Sequence, residues 1–155
     1  MDLSSLGQIG LFISSFLAAT FFPIGCETIF LALLVGVSDI SDRTFHFTII
    51  NATVGNTLGA ITTYFLGMYL PIERALKMLK IKPSRFLAVS NFVSRRSTMM
   101  ALLAWLPILG DPIALALGNV KANLLKVAPM MAVGKYARFF VLGILGIYFK
   151  DLFFS

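Results

Sequence analysis

Glu27, Asp111, Lys135, Arg138 and Asn56 stand inside stretches of sequence that are otherwise almost free of charge. An ionisable group at the centre of an apolar helix costs roughly 2.5–3.5 kcal/mol on insertion scales, so its retention asks for a reason. Carboxylates in such a place can take up and release protons, and cationic side chains can bind anions. Glu27 closes the run Pro23-Ile24-Gly25-Cys26-Glu27, and Asp111 lies in Pro107-Ile108-Leu109-Gly110-Asp111-Pro112. Proline removes a backbone donor and clashes with the preceding turn, and glycine loosens what remains, so both runs should break a helix. The freed backbone, and water it admits, would help solvate the two acids. Lys135 and Arg138 share a helical face at i, i+3 spacing, and Asn56 reaches a similar depth in its own segment. Two readings fit this set. One is a neutralised ion-pair network that holds the breaks in place. The other is a polar cavity near the midplane, with Glu27 and Asp111 as proton sites and Lys135, Arg138 and Asn56 as contacts for an anion or headgroup. Spacing alone leaves both open.

The elements that would position these residues are set by composition. Of 155 residues, 58% are hydrophobic and only 13% charged, about half the charge of an ordinary soluble domain. Fifteen Phe cannot all be hidden inside a water-soluble globule of this size. Thr44 to Ile72 contains no Asp, Glu, Lys or Arg, more than the roughly 20 residues needed to span a bilayer. Leu3 to Cys26 is likewise uncharged. Apolar blocks run over 3–38, 44–71, 97–120 and 127–149; the second and fourth read as intact spanning helices, the first and third as interrupted. The N-terminus lacks the positive n-region of a cleavable signal peptide and reads as retained. With one Cys (Cys26) and one His (His46), no intrachain disulfide and no multi-Cys/His metal site can form, and no cofactor is expected. His46, at the edge of a block, reads as interfacial. Asn51-Ala52-Thr53 matches a glycosylation pattern but lies inside an apolar segment. Gly110-Asp111 matches part of the Gly-x-Gly-Asp of intramembrane aspartyl proteases, yet position 108 is Ile, and catalysis is not expected.

The two breaks belong to an internal repeat. Residues 23–33 and 107–117 align without a gap: Pro23/Pro107, Ile24/Ile108, Ile29/Ile113, Leu31/Leu115, Ala32/Ala116 and Leu33/Leu117 are identical, and Glu27 falls on Asp111. The same offset carries Leu58-Gly59 onto Leu142-Gly143 and Tyr64 onto Tyr148. Thr98 to Leu106 is only about 14 Å of helix, half of a hydrocarbon core about 30 Å thick. The simplest shape is a re-entrant hairpin that turns at the Pro/Gly/acid site. One hairpin plus one spanning helix crosses once, so the two halves face opposite ways, a recurrent transporter plan. The expected fold is therefore an all-α integral membrane protein of two inverted repeats. It forms a single membrane domain: repeat one over 1–71, an amphipathic connector over 72–96, and repeat two over 97–155. A continuous kinked helix would give parallel repeats instead.

Charge sets orientation. Arg74, Lys77, Lys80, Lys82, Arg85, Arg95 and Arg96 crowd the connector against Glu73 alone, whereas Asp39, Asp42 and Arg43 precede block two. The positive-inside rule makes the connector cytoplasmic; the hairpins then bring Lys121 and Lys126 to that side and both termini outside. Ile72, Leu76 and Leu79, then Phe86, Val89 and Phe92/Val93, form an apolar stripe expected to lie in the interface, its cations on anionic lipid headgroups. Gly55-Asn56-Thr57-Leu58-Gly59 is a G-x-x-x-G suited to close helix approach; Gly143 and Gly146 read the same way, and Trp105 and Tyr69 as interface anchors. Membrane lipids are the expected partners, nucleic acid is not, and self-association is left open.

Several of these motifs together carry a resemblance. Trp105-Leu106-Pro107-Ile108-Leu109-Gly110-Asp111 with Gly118, then Gly134-Lys135-Tyr136-Ala137-Arg138, resembles the YqaA-like branch of the DedA (VTT-domain, SNARE-associated) membrane proteins. Gly55-Asn56-x-x-Gly59, Tyr64, Gly67 and the Pro23…Glu27 turn fit as well, in the same order along nearly the whole chain. The resemblance implies two oppositely facing re-entrant hairpins and, for a bacterial source, the inner membrane. It implies a lipid flippase, scramblase or proton-coupled transporter, a class that includes carriers of undecaprenyl phosphate. The broader family carries arginines around the second proline, in a pattern like R-x-x-P-x-x-R; here those positions are Ala104 and Gly110, with Asp111 following. Undecaprenyl phosphate recognition therefore does not carry over residue by residue, and Lys135 and Arg138 are the candidates to replace those cations. The expected function is a small transporter or flippase, proton-coupled, with Glu27 and Asp111 as its proton sites. The alternative is a non-transporting membrane organiser or assembly subunit in which the buried charges are structural.

Overall fold

Where water is excluded, backbone groups are satisfied in helices or in closed barrels, and helices are what form here among the described residues. The structure, a computed structural model, describes residues 3–20, 26–35, 40–106 and 109–154. In chain order the described helices are α1 (Leu3–Ala18), α2 (Cys26–Leu34), α3 (Arg43–Tyr69), α4 (Ile72–Met78), α5 (Pro83–Arg95), α6 (Ser97–Leu102), α7 (Gly110–Asn119) and α8 (Leu124–Phe154), with a 3-10 turn over Leu103–Trp105 between α6 and α7. The first and third apolar blocks are thus each divided into two short helices, while the second and fourth each form one long helix. Pro23, Gly25 and Pro107, the residues expected to break the first and third blocks, lie outside the described residues. Gly110 and Pro112 open α7, where a proline's missing donor removes no intrahelical bond.

Local chemistry accounts for the ends. Asp42 caps α3, its side chain accepting from the Thr44 N–H at 2.8 Å. Pro83 occupies the first position of α5. α4 and α7 end alike: Lys80 (φ 53°) and Lys121 (φ 51°) adopt the left-handed conformation. The next N–H then reaches back to a carbonyl of the last turn, Ile81 to Leu76 and Ala122 to Leu117, both at 2.9 Å, the geometry of a left-handed helix stop.

α3 is the hub, packed on α1, α7 and α8. Its approach to α1 runs through the G-x-x-x-G: a Cβ at Gly55 would stand 2.6 Å from the Phe12 carbonyl oxygen, and one at Gly59 would meet the Phe16 carbonyl oxygen and Ala19. The crossing with α7 is tighter still. A Cβ at Gly67 would overlap the Leu115 carbonyl, and one at Gly118 the Tyr64 carbonyl. Gly143 and Gly146 work differently, receiving the Phe45 ring and the Leu31 side chain instead of another backbone. Two apolar cores result. One gathers Leu11, Phe30, Phe45, Ile49 and Phe139 from α1, α2, α3 and α8; the other gathers Tyr64, Val89, Val93, Leu115 and Met131 from α3, α5, α7 and α8.

The surface is inverted relative to a water-soluble helical protein. Ser15, Thr48, Thr53, Asn56, Thr63 and Lys135 are buried, while Ile9, Ile13, Phe47, Ile50, Val133 and Val141 are exposed. α8 over Leu124–Phe149 is long and apolar enough to cross a membrane. α3, about 40 Å long at 1.5 Å per residue, matches it in length but turns its Thr, Asn and Gly side inward.

The connector departs from its expected place. The stripe formed by Ala75, Leu79, Phe86, Val89 and Val93 is buried within the second core and α5 packs along α7, whereas Leu87 and Phe92 point outward. Helical periodicity marks a face as buried without saying by what, and here protein covers most of it.

Candidate functional site

The polar residues lie where the two cores meet. On α3, Asn56 sits between Ala52 of the first core and Ala60 of the second; on α8, Lys135 sits between Met131 and Phe139. Asn56 is the midpoint of α3, about 20 Å of helix from either end. Lys135 is only 5% exposed, and its Nζ donates to the Asn56 Oδ1. The amide nitrogen of Asn56 donates in turn to the Ser15 carbonyl at 2.9 Å. One amide therefore ties α1, α3 and α8 together.

One turn along α8, Arg138 faces α2. Its Nη2 pairs with the Glu27 Oε1, its Nη1 approaches the Trp105 carbonyl at 3.5 Å, and its guanidinium lies 5.9 Å from the Phe139 ring centre. The Cys26 thiol donates to the other Glu27 oxygen at 3.3 Å. Glu27 is the second residue of α2 and Asp111 the second residue of α7, so each acid stands in the first turn, where free N–H groups and the helix dipole favour negative charge. Among the described residues Asp111 has no hydrogen bond, and Lys135 is the cation acting on it. Gly110 brings the start of α7 onto the preceding turn: its N–H donates to the Leu106 carbonyl at 2.9 Å, and an added Cβ would stand 2.5 Å from the Ala104 carbonyl oxygen.

Cys26, Glu27, Asn56, Asp111, Lys135 and Arg138 line one cavity of about 50 Å³. That admits water and is far below the roughly 300–1,000 Å³ of small-molecule pockets. Two acids and two cations converge there, and their formal charges cancel. Chemically the set can hold or move a proton on a carboxylate, and can offer a guanidinium or ammonium to an anion if its present partner is displaced. Among the described residues no cluster of His, Cys, Asp or Glu could hold a metal ion.

Three features escape a reading of residue types alone. Cys26 faces Glu27, for which its adjacency in sequence is the one available signal. Trp105 stands beside Arg138 and offers it a carbonyl, while Tyr69 is 72% exposed at the end of α3. Asn51 belongs to a separate polar contact between α1 and α3: it donates to the Gln8 carbonyl and Oε1 at 2.7 and 2.9 Å, and Gln8 donates to Thr48 at 2.7 Å.

Described residues that are helical, with polar side chains inside, apolar ones outside and an α8 long and apolar enough to cross a membrane, fit an integral membrane protein with a buried ionic site. Its relatives agree. The chain is 32% identical over 137 residues to an uncharacterized protein of Haemophilus influenzae, covering 85% of this chain and 82% of that one. It is 29% identical over 135 residues to the inner membrane protein YqaA of Escherichia coli, covering 87% of each, and equally to that of Shigella flexneri. No family model matches, and no solved structure matches. The chain belongs to the YqaA-like branch of the DedA membrane proteins, and its place is the bacterial inner membrane.

Proposed function

We propose that the protein is a small proton-linked lipid transporter or flippase whose working site is the cavity between the two cores. The observation that carries this reading is the convergence of Glu27 and Asp111, each opening a short helix after a break, with two cations from α8 and the central amide of α3. A fixed scaffold needs no such collection at that depth. Removing one member of a buried pair is strongly destabilising, and an apolar replacement of the whole pair is often neutral.

In this reading each half is a re-entrant hairpin followed by a spanning helix, and the halves are inverted. Two observations support it: Gly7 near the start of α1 meets Leu33 near the end of α2, as in two helices that double back, and the acids occupy equivalent second positions in α2 and α7. Glu27 and Asp111 carry the proton. Arg138 and Lys135 receive an anionic headgroup, and basic residues of the connector, among them Lys77 and Lys82, meet anionic lipid at the cytoplasmic face. No bond in the cargo is broken, so the activity is transport and not catalysis.

A second reading has its own support: Arg138 and Lys135 already have partners within the protein, as in a membrane organiser whose charges are structural. Reconstitution into liposomes with fluorescent lipids and an internal pH reporter separates the two. We expect lipid movement accompanied by a pH change, abolished in Glu27→Gln and Asp111→Asn while insertion persists. Unchanged lipid movement in both variants overturns the mechanism. Loss of folded yield in both, with no flux in the parent protein, favours the organiser.

A further inference from the structure

The Glu27–Arg138 pair has a second side. Beyond it lies a groove of about 420 Å³ lined by Glu27, Trp105, Ala137, Arg138, Val141 and Leu142. The inner cavity is lined by Glu27 and Arg138 as well, so the ion pair is the wall between a small polar chamber and a much larger apolar recess. The side chains of the pair are 30% and 21% exposed, whereas Lys135 behind them is 5% exposed. Ala137 and Val141, which form the recess along α8, are exposed. They lie on the segment long and apolar enough to cross a membrane, with Arg138 about 21 Å of helix from Leu124 and about 17 Å from Phe149. With α8 set across a bilayer, the recess faces the hydrocarbon and has a guanidinium in its lining.

Resting on the transport reading, we infer that this groove is a lateral portal for one kind of cargo, a membrane lipid with an anionic phosphate headgroup, and that the Glu27–Arg138 pair is its gate. Apolar walls accept an acyl chain, and the guanidinium among them matches phosphate geometry. A headgroup that takes Arg138 displaces Glu27, opens the wall, and comes within reach of Lys135. A water-soluble anion gains nothing from the groove and has no entry through it. The gate is a positioning device; Lys135 lies one step further in and is shielded until the pair parts.

The test places a diazirine-bearing leucine analogue at Val141 in the full chain, reconstituted in vesicles of mixed phosphatidylethanolamine and phosphatidylglycerol. The control position is Ile13, an exposed residue of α1 away from the groove. After illumination the lipid adducts are identified by mass. We expect phosphatidylglycerol enriched at Val141 over Ile13, and the enrichment about tenfold lower in Arg138→Gln, as loss of a charge-assisted hydrogen bond implies. Arg138→Lys, which keeps the charge should the neutral variant fold poorly, is expected to retain much of it. Adducts at Val141 that match the bulk lipid ratio, as at Ile13, overturn the portal. Competition of the Val141 adduct by soluble glycerol phosphate as strong as that by added phosphatidylglycerol overturns the choice of a lipid. The two readings fail separately. Selective adducts without lipid movement retain the site and remove transport; lipid movement with unselective adducts retains transport and removes the portal.

Discussion

At the scale of single residues, Asn56 joins three helices through one amide. Its amide accepts from the Lys135 Nζ and donates to the Ser15 carbonyl, and both partners are buried. Replacing Asn56 with Leu leaves a buried ammonium and a buried carbonyl unpaired, each costing about 1–3 kcal/mol. Asn56→Leu should therefore lower the unfolding temperature of the detergent-solubilised protein, and its loss and that of Lys135→Met should combine to less than their sum in the double variant, because both changes remove the same contact. Equal and additive losses would show that the contact is not made. The members of this set are legible in the sequence, since an ionisable or amide side chain inside an uncharged run is expensive whatever the fold. Their pairing is not. The i, i+3 spacing puts Lys135 and Arg138 on neighbouring turns, yet one turns to α3 and the other to α2, a choice made by which helices lie alongside. Cys26 shows the reverse limit: a small neutral side chain carries no energetic flag and becomes visible only beside Glu27.

At the scale of helices, what separates close from loose packing is backbone contact. Gly67 and Gly118 each stand against a carbonyl of the facing helix at the α3–α7 crossing, whereas Gly10 on α1 has nothing within 4 Å of an added Cβ. An extra methyl in a filled contact costs about 1–3 kcal/mol or more, while glycine to alanine in an open helix gains up to about 1 kcal/mol. Gly67→Ala and Gly118→Ala should each destabilise, and Gly10→Ala should be neutral or stabilising, measured by thermal unfolding in the same detergent. Indifference at all three would mean that α3 and α7 are further apart than described. The G-x-x-x-G at Gly55 and Gly59 is readable as a contact motif, but Gly67 and Gly118 lie in different helices and form no local pattern, so their meeting needs the fold. The connector teaches the same lesson: the stripe through Leu79, Phe86 and Val89 is plain in the periodicity, but its cover, α7, is not.

At the scale of the whole molecule, the proposed inverted arrangement makes a claim about sides. With the basic connector inside and both short-helix pairs re-entrant, Ser41 faces the periplasm and Lys126 the cytoplasm; four full crossings would put both in the periplasm. In a Cys26→Ala background, Ser41→Cys should react with an impermeant maleimide in intact spheroplasts, and Lys126→Cys only after the membrane is opened. Reaction of both in intact spheroplasts removes the inverted arrangement. The charge balance of the buried site bears on a different property. A transmembrane voltage acts on net charge, at about 2.3 kcal/mol per elementary charge per 100 mV, and Glu27, Asp111, Lys135 and Arg138 formally sum to none. Moved together, they would shift no charge through the field. The resting potential of the cell then neither locks nor drives the rearrangement of the empty, unprotonated site; it acts only through what the site takes up, a proton or an anionic headgroup.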